Sequence, residues 1–465
     1  MKLKFSLNQR SGIANPFIIL VALISLGAVG YYTIASRLSS QSDLLKTATR
    51  HQDQVSEVLP NKAKNLFRPS VVNNKQPIQI SELSKGAPTI FPSPSIAKPQ
   101  PVRSGLFGQS CEGSGVSKLK TFPIDIKNIE LIVPMGRVQD SHVTPTDHQY
   151  IIPVGTVSGS LVTDNPKKYS IKAPADGNII IIELFKEPVE SQYRNQAYSD
   201  NYLVVFEHSC DLYTRLIHID TLSERILASF SFRDPSSQHP YASMRIPVKE
   251  GEIIGTVGPH SFDFQIMDAN VKDKNLISPQ NIDNFSAYTV DTFDYLADSL
   301  RGELLFKNLT KTKPLGGRIG YDIPGTLAGN WFLTGRSSAR ENYWTNNLSI
   351  VYDHLDLTQI RVSLGNFGGY PKAFGVVSNA PDPSRVGVGS GLIKYELTKF
   401  DYYSGANKWD GLHFAENLMA KNNGEVAGVV LFELVDVNNL KVEVFPGQTG
   451  SQVSGFTGAA LLYER

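Results

Sequence analysis

The chain is short of cysteine and of net charge, and each shortage narrows what it can be. Among 465 residues there are two cysteines, Cys111 and Cys210. Neither belongs to a CxxC pair, which excludes cysteine-rich zinc modules and dithiol redox exchange. Lys plus Arg number 45 against 44 for Asp plus Glu, a net charge of +1. With no basic run interleaved with aromatics, no nucleic-acid partner is expected. Nucleotide-binding loops are missing as well: "GVGSGL" has the glycines but not the strand-to-helix context they require, and no GxSxG elbow occurs.

One long uncharged stretch is present, "SGIANPFIILVALISLGAVGYYTIAS" from Ser11 to Ser36. It exceeds the ~20 apolar residues that cross a bilayer. Lys2, Lys4 and Arg10 precede it, so residues 1–36 are expected to form a cytoplasmic tip and single transmembrane helix, with the bulk of the chain outside the cytoplasmic membrane. A cleaved signal peptide, with Thr33 and Ala35 at a small-x-small site, is the alternative. Residues 37–104 turn polar and then proline-rich ("GAPTIFPSPSIAKPQPVR"), as expected of a disordered linker. In an exported domain Cys111 and Cys210 are candidates for a disulfide closing a loop of about 100 residues, worth ~4 kcal/mol; two buried free thiols remain the other reading.

The rest reads as mainly β. Over 105–284, Ile- and Val-rich runs such as "IELIVPMG", "SIKAPADGNIIIIELF" and "NYLVVFEHSCDLYTRLIHI" alternate with turn signals. Gly177, Gly251, Gly255 and Gly258 are expected at turns that require positive φ. Over 285–465, "GRIGYDIPGTLAGNWFL", "QIRVSLGNFGG" and "DVNNLKVEVFPG" predict a second β-rich domain, a barrel or a sandwich, with a hairpin turn at the Asn-Asn pair.

Three stretches of the first domain together carry a family resemblance: "IKAPADGNIIII", "YLVVFEHSCDLYTRLIHID" and "VKEGEIIGTVGPHSFDFQI". They resemble the lysostaphin/LytM-type zinc endopeptidases of peptidoglycan, across roughly Gly136 to Asp268. The resemblance implies an antiparallel duplicated hybrid motif, with zinc held by an HxxxD motif and the second histidine of HxH, and two further histidines assisting a bound water. Carried over, it implies His142, Asp147 and Asp263 as metal ligands, with His148 an alternative to His142, and His218 and His260 as catalytic residues. This sequence departs from the pattern: His142 and Asp147 are five apart, and Ser261 and Asp263 stand in place of both HxH histidines. One register slip on the next strand would put Arg215 in the place of His218.

Those departures lead to the expectation of a degenerate, non-catalytic domain, without a metal, that binds peptidoglycan, another envelope polymer or a partner protein. An active zinc metallopeptidase with a shifted site is one alternative. A structural surface or adhesion protein is another. In the second domain Trp331, Trp344 and Trp409, with Tyr343 and Tyr370, are candidate ring platforms for sugars, although buried tryptophans would satisfy the same pattern.

Overall fold

The structure, a computed structural model, describes residues 103–139, 142–156, 168–186, 201–283, 285–336 and 343–465. The expected anchor over 1–36, and the linker up to residue 102, lie outside the described residues. Among the described residues no helix is long and apolar enough to cross a membrane. All of them fall within one compact unit, Ile96–Arg465.

The chain is mainly β, in antiparallel sheets. The first half builds a seven-stranded sheet in the spatial order Tyr241–Val248, Gly177–Leu184, Tyr202–Glu207, Leu212–Ile219, Phe262–Asp268, Gln149–Pro153, Ile129–Val133. A second sheet of Tyr169–Lys172, Ile253–Val257 and Thr221–Leu222 lies over one face. The Phe262–Asp268 strand is buried along its whole length although it alternates apolar with polar residues, because its apolar face meets the main core and its polar face is covered as well. Its even residues Phe262, Phe264 and Ile266 enter the main core, with Ile151, Leu216, Phe206 and Val257. Its odd residues, Asp263 and Gln265, face the other way. Gly251 takes φ 78° in its turn, as expected, but Gly177 and Gly255 serve a different purpose. A Cβ on Gly255 would lie 2.0 Å from the Thr221 carbonyl oxygen, so two strands touch there at backbone distance.

The core of this half does not stop near residue 284. Val290, Phe293, Leu296, Leu300, Leu304 and Leu315, from short helical turns and the helix Asp298–Leu305, pack into the same cluster. Cys111 and Cys210 are bonded to each other, with Cα atoms 5.2 Å apart. The bridge ties the short ladder Arg103–Ser104/Ser110–Cys111 to the turn before Leu212–Ile219.

Eight strands of the second half close on themselves. Their ring order is Gly329–Leu333, Asn347–Tyr352, Ile360–Phe367, Tyr370–Val376, Ile393–Ser404, Leu418–Leu434, Asn439–Pro446 and Leu461–Glu464, the last pairing with the first. Of the two expected architectures, barrel and sandwich, this is the barrel. Its interior is filled: Trp331, Ile350, Val362, Tyr395, Val430 and Phe432 form one packed cluster. Trp331 is fully buried, donates its indole N–H to the Leu327 carbonyl at 3.0 Å and lies under the Arg465 guanidinium at 4.0 Å, so it is a core residue and not a surface sugar platform. The side chain of Trp344 lies outside the described residues. The expected Asn-Asn turn is there: Val435–Asn438 joins two paired strands, with Asp436 accepting from the Asn438 and Asn439 amides.

Two barrel strands outgrow the ring. Phe400–Ser404 pairs with Leu418–Asn422 beyond the other strands and, with the short strand Asn407–Lys408 on its other edge, makes a three-stranded arm. It returns to the first half, where Leu418, Tyr402, Trp409 and Phe414 pack with Leu131, Val133, Tyr150 and Ile152. The Phe414 amide donates to Glu130 there, and Trp409 donates to the His413 carbonyl. Trp409 is therefore a contact residue of the arm. Trp331→Ala should cost ~3–5 kcal/mol in a denaturant titration, as removal of a large buried ring does, and should leave sugar binding by the folded protein unchanged. A near-neutral change in stability would mean that Trp331 is not in the core.

Candidate functional site

His148 immediately precedes the strand Gln149–Pro153, so strand periodicity puts His148, Tyr150 and Ile152 on one face. Asp263 pairs with Tyr150 on one side and Ile217 on the other, and Gln265 pairs with Arg215. One face of the sheet thus collects His148, Asp263, Gln265 and Arg215. His218 reaches the same place by another route. It lies at an irregularity in the pairing with Tyr202–Glu207 and has φ 71°, a left-handed conformation uncommon for a residue with a Cβ. Its Nε2 is 3.5 Å from Asp263 Oδ2.

The carboxylate of Asp147 is fully engaged. Oδ1 is 2.8 Å from His148 Nδ1. Oδ2 accepts from Arg215 Nη2 at 2.8 Å, from Ser286 Oγ at 2.7 Å and from Gln265 Nε2 at 3.2 Å. Arg215 also reaches Asp283, at 3.4 Å. Burial alone would raise the Asp147 carboxyl, but the Arg215 charge and the His148 hydrogen bond hold it well below the usual carboxylate range. The other face of His148 meets the second carboxylate, with Nε2 3.2 Å from Asp263 Oδ2. Burial pushes the His148 imidazole down, but the Asp263 charge and the bond to Asp147 more than offset this and raise it above its ordinary value. The imidazole is sandwiched between two carboxylates.

His142 stands beside this chain, its ring 5.5 Å from that of His148. Burial, then repulsion from His148, lowers it to about 4, so it is neutral at pH 7. His260 has been drawn elsewhere. Its Nε2 is 2.7 Å from Asp220 Oδ1 and its Nδ1 2.9 Å from the Ser261 carbonyl, so both ring nitrogens are occupied at that corner. Of the five residues expected from sequence, Asp147, Asp263 and His218 come together, His142 lines the edge and His260 is spent on Asp220. Ser286, Gln265 and Asp283 were not foreseen. Nothing local in the sequence marks them, because their role exists only once distant segments meet.

Do these groups fit the zinc that the resemblance implies? A hydrolytic zinc site needs three ligands with free lone pairs facing one point. Asp147 turns Oδ2 to three donors and Oδ1 to His148, so neither oxygen faces an open position. The residue four after His148, where HxxxD would put a carboxylate, is Ile152, packed under the arm. What remains are two imidazoles facing one oxygen of Asp263, beside a guanidinium. Among the described residues no group of three His, Cys, Asp or Glu side chains is arranged to hold a metal. The donor set does not fit the three-ligand zinc: His148 hydrogen-bonds Asp147 through Nδ1, and its Nε2 faces Asp263 at 3.2 Å without a hydrogen bond. Beside the chain opens a cavity of about 210 Å³ lined by His142, Thr144, Pro145, Arg215, Asp283 and Ser286, below the ~300–1,000 Å³ of most small-molecule pockets.

No protein-family model matches the chain. No curated protein matches it either. Solved structures give distant likenesses. A zinc-containing peptidase from Vibrio cholerae is 15% identical over 33% of this chain and 38% of its own, with a TM-score of 0.21. The SpoIIQ-SpoIIIAH pore-forming complex is 12% identical over 39% of this chain and 99% of the matched one, and lysostaphin 10% identical over 56% and 93%, both with a TM-score of 0.21. This chain thus spans well under half of the Vibrio cholerae peptidase.

Two outcomes follow from this geometry. Arg215→Met should destabilise the fold by roughly 3–5 kcal/mol by leaving Asp147 buried without its cation, and adding Asp147→Asn should recover most of that loss in the same urea titration. Additive losses would mean that the pair is not coupled. The second concerns pH. Burial lowers His142, His208 and His354 each to about 4. The unfolded chain, titrating near ~6.5, binds protons that the folded chain does not, so stability should fall as pH drops from about 6.5 to about 4. His208→Gln should flatten that slope in urea midpoints measured across the window; an unchanged slope would show that His208 does not contribute to it.

Proposed function

We propose that the first half of this protein is a non-hydrolytic relative of the lysostaphin-type domains, working as a binding module in the cell envelope. The observation that supports it is the Asp147 carboxylate taken up by Arg215, with His148 held between Asp147 and Asp263. The two carboxylates that the resemblance assigns to metal binding, Asp147 and Asp263, here face cationic groups of the chain itself. A guanidinium 2.8 Å from the Asp147 carboxylate neutralises it with one positive charge, but offers no coordination position and activates no water.

In this reading the face around His148 engages peptidoglycan, another wall polymer or a partner protein without cutting it. The arm closes one end of that face by packing over Tyr150 and Ile152, and leaves the cavity at His142 and Arg215 as its open part. The apolar stretch at 11–36 would place this module outside the cytoplasmic membrane.

The test combines metal content with cleavage. Full-length protein purified without added metal should carry far less than one zinc per chain by elemental mass spectrometry. It should leave purified muropeptides intact and should sediment with cell walls as well with chelator as without. A zinc near one per chain together with chelator-sensitive cleavage would overturn the proposal. Ile152→Asp with Asp263→His should move metal content toward about one per chain, because it returns a carboxylate and an imidazole to the face that bears His148.

A further inference from the structure

A second cleft lies where the arm leaves the barrel and faces the first half. It encloses about 860 Å³ between the Arg137–Gln139 segment on one side and Lys399–Tyr402, Lys408 and Asn423 on the other. Among the described residues its charge is unbalanced: three cations, Arg137, Lys399 and Lys408, stand against one carboxylate, Asp401, which already pairs with Lys408 at 2.8 Å. Among the described residues neither Arg137 nor Lys399 has a carboxylate partner. The Arg137 guanidinium lies 5.8 Å from the centre of the Tyr150 ring, a contact that leaves its N–H groups available.

The cations come from both walls. Arg137 belongs to the first half, Lys399 to the base of the arm and Lys408 to the arm itself. Like charges brought to opposite sides of a concave surface repel, and an anion bound between them turns that repulsion into attraction. The walls are also firm. Phe400 is stacked under Arg361 at 3.6 Å, and the Tyr402 hydroxyl donates to buried Asp353 at 2.6 Å. Phe400 and Tyr402 thus present ring surface next to the charges without freedom to swing away.

We propose that this cleft binds an oxyanion-bearing ligand, carboxylate or phosphate, whose ionic end meets Arg137 and Lys399 and whose non-ionic part lies along Phe400 and Tyr402. Arg137 suits such a group because its planar fork can hold two oxygens at once, and Lys399 adds a movable point charge. Arg137 lies over Tyr150, a residue of the His148 face, but the cleft stands or falls apart from the function proposed for that face.

The test is titration calorimetry on the full-length chain in a neutral detergent, with inorganic pyrophosphate and with citrate as separate probes. At least one should bind with a stoichiometry near one, roughly tenfold more weakly at high salt, as exposed charge pairs are screened. The probe that binds more tightly identifies phosphate or carboxylate as the preferred end. Arg137→Gln with Lys399→Gln should weaken that binding by a further tenfold or so. Lys399→Glu alone, on an exposed side chain at the base of the arm, should abolish it in a chain whose melting curve is unchanged. Lys441→Gln, a barrel lysine that does not line the cleft, should bind as the wild type does. Absence of binding by both probes, or equal binding by Lys399→Glu and wild type, would overturn the proposal.

Discussion

The contact between the Asp147 carboxylate and the Arg215 guanidinium sets the state of everything around it. Because Arg215, Ser286 and Gln265 occupy Oδ2, only Oδ1 is left for His148, and it takes the Nδ1 side of that ring. The other ring nitrogen is thereby turned toward Asp263. Asp263 in turn receives His218, which reaches it through a strand irregularity and a left-handed backbone. A buried chain of alternating charge results, and its cost in desolvation is offset only while all members are present.

The barrel contributes to the same surface from a distance. Its arm covers Tyr150 and Ile152, and so fixes where the face of His148 ends. The arm is held at its base by a second buried pair, with Asp353 Oδ2 accepting from Arg361 Nε at 2.8 Å and from the Tyr402 hydroxyl. Both halves of the protein thus use one arginine to fix one buried aspartate. In each case the aspartate then positions a neighbouring ring, His148 in the first and Tyr402 in the second.

Much of the architecture was legible in the sequence. The Ile- and Val-rich runs mark the strands of both halves, and "DVNNLKVEV" marks its hairpin. The point where one half yields to the other was not legible, because Phe285–Leu315 carries apolar residues at spacings that suit strands or helical turns, and only the shared core assigns them to the first half. The sequence left Trp331 open between a sugar platform and the core, because burial inside a closed barrel depends on the pairing of Gly329–Leu333 with Leu461–Glu464, a partnership across the whole second half. At the site, spacing favoured His142 over His148 by treating His142 and Asp147 as a stretched HxxxD. The phase of the strand beginning at Gln149 shows instead that His148 faces Asp263 and that Ile152 stands where a carboxylate would be needed. The role of Arg215 was visible only as a one-residue slip, since its partner Asp147 lies 68 residues away and the pair leaves no local motif.

The most direct test of this account is the protonation of His148, read from the side-chain nitrogen shifts in an NMR spectrum of the full-length protein at mildly acid pH. The account predicts an imidazolium with both ring nitrogens protonated, titrating above the ordinary histidine value and unmoved by chelator or by one equivalent of zinc. A neutral ring whose Nε2 shifts on adding zinc and returns on chelation would contradict it, and would make His148, His218 and Asp263 the ligands of a metal.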